Sequence, residues 1–404
     1  MLSVDEALAR VTSAFQTLPA EQITLTKGLG RILAEDVSAR LTQPPVAISS
    51  MDGYALRAVD IENAPITLTQ VGVAQAGRRF DGAIRTGECA RIFTGSVIPD
   101  GADTVIIQEV THTDGNQVTI EENAAVGANI RLAGLDFSEG DLLLSAGKRL
   151  TARDIGLAAS MNIPWLKVRR RPKIAILATG DELVMPGESK QFDQIISSNS
   201  IAVGAYIQGL GGEPIDLGIA RDTPESLREA LAGANNADLL VTIGGASVGD
   251  FDLIRKVLGE NGLEVNFYKI AMRPGKPLIF GRLKNIAVLG LPGNPVSAGV
   301  TSVVFLRAAV ESMLGVDPSR VPGMAIARLG RDIEANGIRQ DYMRAALDYC
   351  KDGSLLATPF LQQDSGMMAL FAKADCLVVR PPKADASKKG DLVTVLRLDE
   401  GREF

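Results

Sequence analysis

The chain has 404 residues, more than one hydrophobic core usually organises, so about two to four domains are expected. Hydrophobic residues make up 46% and charged residues 22% of it, a globular mixture without the bias of a disordered protein. The net charge of −6 argues against nucleic-acid binding, and the longest apolar stretch, about residues 298–314, is too short and too charged to span a membrane because Arg307 and Glu311 interrupt it.

The first predicted element is a helix within residues 3–19, where apolar side chains recur at helical spacing. Its start, MLSVDEALARV, carries acidic residues early and is not typical of a signal peptide, so a cytoplasmic protein is expected. A second helix is predicted over Leu25–Leu33. Together with residues 140–168, which contain the helical pattern TARDIGLAASM, residues 1–40 are assigned to an elongated helical and extended domain.

Residues 41–139 have a different sequence pattern, in which short alternating apolar stretches are separated by turns of Gly, Pro and Asp. Stretches such as ITLTQVGVAQAG and NQVTIEENAAVGANI carry this pattern, which predicts a mostly-β module inserted into the helical domain. The only basic run, Lys167–Lys173 (KVRRRPK), follows the second part of that domain. We interpret the basic run as a solvated linker.

Residues 169–318 repeat the order strand, turn, helix, which predicts a doubly wound α/β domain with a mainly parallel sheet and helices on both faces. The predicted strands are KIAILATG, PIDLGIA, ADLLVTIGG, PLIFGRL and NIAVLG. The predicted helices are Asn199–Leu210, Pro224–Ala232, about Asp250–Leu258 and a long helix after Pro295. Residues 319–404 carry β runs such as CLVVRPP and DLVTVLRL and form a small C-terminal β domain, so the fold class is multidomain α/β. Ligands of such sheets bind beyond the carboxyl ends of the strands, at the switch point.

Cysteine and histidine are too sparse to define a metal or catalytic centre. Cys89, Cys350 and Cys376 are scattered and form no CxxC pair, which favours a reducing compartment and argues against a zinc site. The single histidine, His112, lies in the polar turn THTDGN. A mechanism that needs a histidine base would depend on this one residue.

Two loops at predicted strand ends suit an anionic ligand. Thr179-Gly180-Asp181-Glu182 presents two carboxylates, although a helix N-cap by Asp181 would explain half of the motif. Residues 244–250 (GGASVGD) follow the most apolar strand, and their glycines would let backbone N–H groups approach an anion. Their order is neither G-x-G-x-x-G nor a P-loop, so neither a Rossmann site nor a P-loop is indicated, and alone the motif could be a tight turn.

Two further loops of the same domain are rich in proline. Lys269 and the loop 273–277 (RPGKP) bring three cations into a short segment that proline stiffens, which suits a divalent oxyanion. An exposed basic turn without a ligand is the simpler interpretation. The loop 291–297 (LPGNPVS) connects a strand to a helix, with Pro295 near the first helical turn. Turn chemistry accounts for most of the polar residues elsewhere, including SSMDGY in the β module and QDSG in the last domain.

Taken together and in order, SMDGYA, TGSVIPDGAD, TGDEL, SNS, GGASVGD, MRPGKP, GLPGNPVS and QDSGM resemble the MoeA family of molybdopterin molybdenumtransferases, which is related to the carboxyl-terminal region of gephyrin. The resemblance covers nearly the whole chain. It implies a molybdopterin-binding α/β domain and an enzyme that inserts molybdate into adenylated molybdopterin and releases AMP with the help of Mg²⁺. It also implies a homodimer, in which the β module of one subunit closes over the site of the other, and contact with other enzymes of the pathway.

The resemblance also assigns roles to individual residues. The residues with a catalytic role would be Asp52, Thr94, Asp136, Glu182, Asp222, Asp252 and Lys269. The substrate-binding residues would be Gly244, Gly245, Ser247, Gly249, Asp250, Arg273, Lys276, Pro292, Pro295, Arg339 and Ser365. The metal ligands would be Asp181, Glu182 and Asp222, whose hard oxygen atoms suit Mg²⁺. Molybdate would be held by Lys269, Arg273, Lys276, Arg339 and Ser365. Asp52, Thr94 and Asp136 would act on the site of the partner subunit.

The sequence departs from the family pattern at three positions. Ile48 stands where Asn is common, and Leu135 stands where an acidic residue is usual. Asp364 replaces a common glycine beside Ser365 and brings negative charge close to an expected anion site. That charge would oppose molybdate unless Arg339 or Arg344 offsets it.

Two other functions share the fold. A molybdopterin adenylyltransferase or related nucleotide enzyme would need only the α/β unit, so the β module and the terminal domain count against it. A scaffold without catalysis would use the same fold to bind a partner peptide at the terminal domain. The charged loops at the strand ends favour an enzyme over a scaffold.

Overall fold

The amino-terminal residues form a short capped helix. In the computed structural model, which describes residues 1–244, 259, 262–317 and 323–398, this helix spans Val4–Thr12. The Ser3 hydroxyl accepts the Glu6 N–H and the Glu6 carboxylate accepts the Ser3 N–H, a capping box that fixes the start of the helix. The helix ends well before the limit of residue 19 that apolar spacing suggests, and its buried face joins the core of the central sheet.

The predicted helix over Leu25–Leu33 is wrong. Only a single 3-10 turn, Leu25–Lys27, forms there. Gly30 adopts a left-handed φ of +73°, which is incompatible with continuing the helix. The next residues are extended, and Ile32 forms an antiparallel bridge with Arg149.

The predicted linker over Lys167–Lys173 is also wrong. Its first half belongs to the strand Trp165–Arg169, which pairs antiparallel with Ala20–Thr24. Leu166 and Val168 alternate into a core and are almost completely buried, and this period-2 pattern was hidden by the intervening basic residues. Those basic side chains form ion pairs, Lys167 with Glu35 and Arg170 with Asp238.

The inserted module is mostly β, as predicted. Its sheet has six strands with the spatial order Thr104–Ile107, Gly53–Leu56, Glu88–Ile92, Ile66–Ala74, Gln117–Ile120 and Thr111–Asp114. Two small ladders connect its ends to the rest of the chain, Ile48–Ser49 with Ile130–Arg131 and Val37–Ser38 with Leu142–Leu144. Two 3-10 turns, Ala58–Ile61 and Gln108–Val110, lie between strands. The predicted helix that follows spans Ala152–Ser160 and is capped by Thr151.

The central sheet confirms the doubly wound α/β prediction. Its spatial order is Glu213–Ala220, Lys173–Thr179, Leu239–Ile243, Ile286–Leu291, Ile279–Leu283 and Leu263–Tyr268. The first four strands are parallel, and Ile279–Leu283 is antiparallel to both of its neighbours. The described helices of this domain are Asn199–Leu210, Pro224–Ala232 and the long helix Pro295–Leu314. A short ladder of Leu183–Val184 with Ile195–Ile196 lies above the sheet.

Alternating side chains of the first central strand bury both faces of this sheet. Ile174 and Ile176 belong to the core that contains the long helix, whereas Ala175 and Leu177 belong to a second core with Leu227 of the helix Pro224–Ala232. The chain starts at the strand Lys173–Thr179, crosses to one side and then returns to the other. The switch point therefore lies between the carboxyl ends of Lys173–Thr179 and Leu239–Ile243.

The long helix Pro295–Leu314 is apolar and long enough to cross a membrane, yet 89% of its most apolar window is buried inside the protein. The prediction of a buried helix is therefore confirmed. Its middle turn, Ser302–Leu306, is a π-helix, a local widening that often lies near functional sites.

The C-terminal part is a six-stranded sheet, as predicted for a small β domain. Its spatial order is Met272–Arg273, Gln340–Tyr349, Leu355–Pro359, Met324–Leu329, Leu392–Arg397 and Cys376–Arg380, and Gln340–Tyr349 also pairs with Cys376–Arg380. Within residues 323–398, the one helix is the four-residue segment Met368–Phe371. The edge strand Met272–Arg273 comes from the α/β part of the chain, so the two parts share a sheet. The boundaries at residues 40, 139, 168 and 318 stay predictions.

Candidate active site

A cavity of about 450 Å³ opens at the switch point of the central sheet. Thr179 and Gly244, at the ends of two adjacent parallel strands, form part of its wall. Three more predicted site residues, Glu182, Pro292 and Pro295, also line it. Pro277 of the RPGKP loop lines it as well, so the structure gathers residues from all four loops singled out by sequence around one space.

Two glycines shape this end of the sheet. Gly244 has a φ of +97°, and a Cβ atom there would lie 2.6 Å from the Thr179 carbonyl oxygen. Gly180 has a φ of +146°, and a Cβ atom there would lie 2.4 Å from Glu182 Oε2. Because the second contact is with a carboxylate, the Glu182 side chain folds back over the strand end beside the cavity.

The carboxylates of Asp181 and Asp222 follow adjacent strands and lie in contacting loops. The Asp222 N–H donates to Asp181 Oδ1 at 3.2 Å, and the Arg221 guanidinium donates to the Asp181 carbonyl oxygen at 2.9 Å. The alternative of a helix N-cap by Asp181 is wrong, because the next two residues enter a turn and the short strand Leu183–Val184. Asp181 instead fixes the loop after the neighbouring strand.

The predicted metal ligands do not form a closed coordination set. Within the described ranges, no three His, Cys, Asp or Glu side chains are grouped closely enough to hold a metal ion by themselves. Mg²⁺ commonly needs only one or two carboxylates, with water and substrate phosphate completing the shell. Asp181 and Asp222 supply hard oxygen donors in contacting loops, so their chemistry fits such a partial site.

The RPGKP loop separates its cations. The Arg273 Nε donates to Asp341 Oδ2 at 2.9 Å, and this hydrogen bond raises the pKa of the guanidinium. Lys269 Nζ lies 4.6 Å from the centre of the Tyr268 ring. Lys276 is exposed beside Pro277, which lines the cavity. The three cations therefore face three environments, and Lys276 is the one that directly precedes a cavity residue in the chain.

The predicted Ser365 meets the LPGNPVS loop. Asn294 Nδ2 donates to Ser365 Oγ at 2.9 Å, and the Val296 N–H donates to the Ser365 carbonyl oxygen at 3.0 Å. Since Asn294 lines the cavity, these bonds bring the C-terminal domain to its rim. The predicted Arg339 is half-buried in the C-terminal domain, near Asn336, whose Nδ2 donates to its carbonyl oxygen.

The buried Arg344 supports the loop that carries Ser365. Its side chain is almost completely buried, and Nη1 donates to the Asp364 carbonyl oxygen at 2.8 Å. Its Nε and backbone N–H both donate to Gln363 Oε1. Arg344 therefore brings positive charge close to Asp364, as the sequence required for an anion site at Ser365. Burial lowers the pKa of this guanidinium, and the charges of Asp364 and Asp341 oppose the shift.

Asp52 and Thr94 contact each other in the β module. Asp52 Oδ1 accepts the Thr94 backbone N–H at 2.7 Å and the Thr94 hydroxyl at 2.8 Å. Asp136, the third predicted residue of the module, is exposed, and its backbone N–H donates to the Gln43 carbonyl oxygen. Five other predicted site residues lie outside the described residues, namely Gly245, Ser247, Gly249, Asp250 and Asp252.

Several cavity residues were not singled out individually from sequence, and three of them are polar residues at strand ends or turns. Asn199 Nδ2 donates to the Gly293 carbonyl oxygen at 2.7 Å and holds the PGNP turn against the start of a helix. Asn294 links that turn to Ser365, and the buried Thr179 ends the first central strand. The only available signal was that each lies within one of the recurring motifs, SNS, LPGNPVS and TGDEL.

Comparison with known families covers most of the chain. Residues 2–162 match the family described as the MoeA N-terminal region, domains I and II. Residues 175–312 match a probable molybdopterin binding domain, and residues 326–398 match the MoeA C-terminal region, domain IV.

Full-length relatives agree with this order of domains. A molybdopterin molybdenumtransferase of Haemophilus influenzae is 34% identical over 401 residues, 98% of each chain. One of Bacillus subtilis is 30% identical over 409 residues, covering 99% of this chain and 94% of the relative. Two solved structures of molybdopterin biosynthesis MoeA proteins from Pyrococcus horikoshii superpose with TM-scores of 0.82 and 0.83 at 33% and 26% identity, each covering 98% of this chain and 99% of the other.

Proposed function

The chain belongs to the MoeA family of molybdopterin molybdenumtransferases and is a transferase of molybdenum cofactor biosynthesis, and from this premise we propose how its residues divide the reaction. The substrate is adenylated molybdopterin, the second substrate is molybdate, and AMP is released as molybdenum binds the dithiolene sulfurs. The observation that carries this proposal is the cavity at the switch point, where strand-end loops and a loop of the C-terminal domain converge.

The molybdate end of the site is proposed at the side of the cavity formed by Pro277 and Asn294. Lys276 is exposed next to Pro277, and Ser365 bonds to Asn294, so a cation and a hydroxyl flank that side. Molybdate is a dianion with four oxygen atoms and needs donors from several directions. Because Ser365 comes from the C-terminal domain, both domains contribute to this end.

The nucleotide end is proposed at the two contacting loops that carry Asp181 and Asp222, next to Glu182 of the cavity wall. These two carboxylates would hold Mg²⁺, and a bound Mg²⁺ would neutralise charge on the phosphoanhydride. The Asp222 N–H fixes Asp181 Oδ1, which orients the carboxylate before any ion arrives. Glu182, which lines the cavity next to Asp181 in the chain, would complete the acidic side.

We further propose a homodimer in a reducing, cytoplasmic setting. Asp52 and Thr94 of one subunit would then act on the site of the other, together with Asp136. All three lie in the β module, and their exposure suits a surface that meets a second subunit. The three cysteines Cys89, Cys350 and Cys376 are free thiols, which agrees with a reducing compartment.

Molybdate-dependent release of AMP from adenylated molybdopterin tests the proposal. The purified full-length chain should release AMP only when molybdate is present. Asp222→Ala and Lys276→Ala should each lower kcat/KM by about a hundredfold, because each removes charge that would stabilise the reacting phosphate or oxyanion. Lys284→Ala is the matched control, since Lys284 is exposed in the turn that precedes the strand Ile286–Leu291, at the end of that strand away from the cavity.

Two outcomes would contradict the assignments. Normal turnover in both variants would remove Asp222 and Lys276 from the site. ATP consumption with molybdopterin, without molybdate-dependent AMP release, would instead support an adenylyltransferase.

A further inference from the structure

A second cavity, of about 280 Å³, lies in the C-terminal domain beside the edge strand Met272–Arg273. It borders the apolar core of that domain, because Ile333 of the core and Met343, which packs against the core, both line it. Among the described residues, none that lines this cavity also lines the cavity at the switch point. Much of its wall is charged, with the guanidinium groups of Arg273, Arg331 and Arg380 and the carboxylates of Asp332, Glu334 and Asp341.

Two of these carboxylates already have cationic partners. Asp341 Oδ2 accepts the Arg273 Nε at 2.9 Å. Asp332 Oδ2 accepts the Lys388 Nζ at 3.0 Å, and its Oδ1 accepts the Lys389 N–H at 2.8 Å. Ion pairs therefore account for Arg273, Asp341 and Asp332, and they leave Arg331, Arg380 and Glu334 as the charged groups of the wall.

Within the part of the chain that the structure describes, neither Arg331 nor Arg380 has a carboxylate as a hydrogen-bond partner. Arg331 Nη2 donates to the Phe360 carbonyl oxygen at 2.9 Å, and its Nε is buried without a partner. Arg380 is 4% exposed, and its Nη2 donates to the carbonyl oxygens of Ala384, at 3.4 Å, and Asp385. Both guanidinium groups are thus held in place by main-chain oxygen atoms, which carry no net charge.

The charge of Arg380 is only partly balanced by the protein. Asp341 lies opposite Arg380 on the paired strand, and burial lowers the pKa of Arg380 while the charge of Asp341 opposes that shift. The same Asp341 carboxylate also holds Arg273, so one negative charge serves two guanidinium groups. Burying a charge without a counter-charge is costly, so a cavity that two such groups line favours an anion.

We propose that this cavity binds a small tetrahedral oxyanion of the sulfate or phosphate type between the guanidinium groups of Arg331 and Arg380. Guanidinium groups suit such an anion because their N–H donors can contact two of its oxygen atoms at once. The volume is below the roughly 300 Å³ at which pockets for drug-sized ligands begin, so an inorganic ion fits better than a nucleotide. This site does not depend on the proposed function.

Glu334 provides the competing explanation. It is exposed and lines the cavity, so its carboxylate is the protein group that could supply the missing counter-charge. If an oxyanion binds instead, Glu334→Gln should tighten its binding about threefold, because a like charge is removed from the wall. A lower Tm of Glu334→Gln without sulfate, together with an unchanged sulfate affinity, would overturn the inference.

Calorimetric titration with sodium sulfate at constant ionic strength tests the site in the full-length chain. Arg331→Met keeps most of the side chain's length but removes the guanidinium, and it should weaken sulfate binding about tenfold. Arg328→Met is the matched control, because it makes the same change of charge in the same domain, at a side chain that is 46% exposed and lies outside the cavity. It should keep the wild-type affinity.

Sulfate that binds at the proposed molybdate end would be lost in Lys276→Ala. Binding that persists in Lys276→Ala and disappears when Arg331→Met is added belongs to the C-terminal cavity. Sulfate binding that depends on Lys276 and is equal in Arg331→Met and the wild type would overturn the inference and leave the proposed function intact. Loss of molybdate-dependent AMP release, with Arg331-dependent sulfate binding retained, would contradict only the proposed function.

Thermal unfolding gives an independent measurement. A ligand that binds only the folded state raises the Tm, so sulfate at low millimolar concentration should stabilise the wild-type chain. Sulfate also stabilises proteins without binding to a site, so the rise in Tm should be smaller in Arg331→Met than in Arg328→Met. An equal rise in the two variants would overturn the inference.

Crystals of the wild-type chain decide the matter if Arg331→Met does not fold. Selenate is a tetrahedral analogue of sulfate with an anomalous signal, and a peak within hydrogen-bond distance of both Arg331 and Arg380 is expected. No peak there at about ten times the Kd for sulfate would overturn the inference. Inorganic phosphate and glycerol 3-phosphate separate a free ion from a phosphate ester, and tighter binding of the ester would overturn the assignment to an inorganic ion.

Discussion

At the scale of single residues, Asp52 shows how a short motif sets the charge of a side chain. The Thr94 backbone N–H and then the Thr94 hydroxyl donate to its Oδ1, and with a smaller attraction from Arg91 they lower the pKa of the Asp52 carboxyl. A lowered folded-state pKa means that the stabilisation is present above the unfolded-state pKa and is lost as the pH falls through the folded-state pKa. Asp52 is therefore a carboxylate at neutral pH.

Thr94→Val should raise the pKa of Asp52 while leaving it below its ordinary value. The substitution removes the hydroxyl donor but keeps the backbone N–H, which is the larger cause of the shift. Carboxyl carbon shifts in an NMR titration measure this change. Thr113→Val, at an exposed threonine in the same sheet, should leave the titration unaffected. An Asp52 pKa that does not move in Thr94→Val would mean that the hydroxyl does not contribute.

The sequence singled out four of the residues that line the cavity, Glu182, Gly244, Pro292 and Pro295, but it did not indicate the partners of the site's side chains. The sequence pointed to Arg273 as a cation for an oxyanion, yet its guanidinium bonds to Asp341, which lies 68 residues later in the chain. The buried Thr179 hydroxyl has no hydrogen-bond partner among the residues that the structure describes, and this depends on which backbones surround it after folding. Such pairings are set by tertiary contacts, which a motif does not contain.

At the scale of elements, the contact between Gly299 and Phe371 joins the long helix to the C-terminal domain. A Cβ atom at Gly299 would lie 2.2 Å from Phe371 Cε1, so the ring rests on the helix backbone. Phe371 ends the short helix Met368–Phe371, which follows the loop carrying Ser365. The small residue in the long helix therefore sets how closely this loop approaches the cavity rim.

Gly299→Ala should destabilise the protein by about 1 kcal/mol. Alanine favours a helix by about 1 kcal/mol relative to glycine, but overpacking against the ring costs about 1–3 kcal/mol. Urea unfolding measures the difference. Gly156→Ala is the matched control, because its Cβ would meet no atom within 4 Å in the helix Ala152–Ser160, and it should stabilise.

A double-mutant cycle completes this test. Adding Phe371→Leu to Gly299→Ala should recover part of the lost stability, although Phe371→Leu alone should be destabilising. Additive effects would show that the two residues do not interact.

Elements with strong end signals were predicted well. The helices Asn199–Leu210 and Pro224–Ala232 have the predicted bounds, because Gly211 ends the first in a left-handed conformation and Pro224 occupies the first turn of the second. Secondary structure was predicted wrongly where two sequence signals pointed to different structures. Charge masked the alternation in Trp165–Arg169, and apolar spacing outweighed the glycines after Leu25–Lys27.

At the scale of the whole molecule, the proposed site draws on two subunits. Asp52→Ala and Lys276→Ala would then remove different contributors to the same composite site. Each variant alone should be strongly impaired, whereas an equal mixture of the two should recover about a quarter of wild-type turnover, since about half of the dimers are mixed and each mixed dimer has one intact site. Co-refolded or co-expressed pairs with different tags allow the measurement.

The control is a mixture of two variants in the same domain. Asp52→Ala and Thr94→Val both lie in the β module, and Lys276→Ala and Asp222→Ala both lie in the α/β domain. These mixtures contain no complete site and should be no more active than the more active of the two parents. A site shared between subunits would be contradicted if the mixture of Asp52→Ala with Lys276→Ala recovered no activity. A monomeric mass by analytical ultracentrifugation would contradict it as well.

The strand Met272–Arg273 has a mechanical consequence. It belongs to the α/β part of the chain, yet it pairs in parallel with Gln340 and Asp341 of the C-terminal sheet. Arg273 also forms an ion pair with Asp341. The RPGKP loop is thus tethered to the domain that carries Ser365, so a hinge rotation of that domain would pull on Lys276 as well. On the proposed assignment of Lys276 and Ser365 to molybdate, anion binding and a rotation of that domain would be linked equilibria, and molybdate would favour one arrangement by as much as that arrangement favours molybdate.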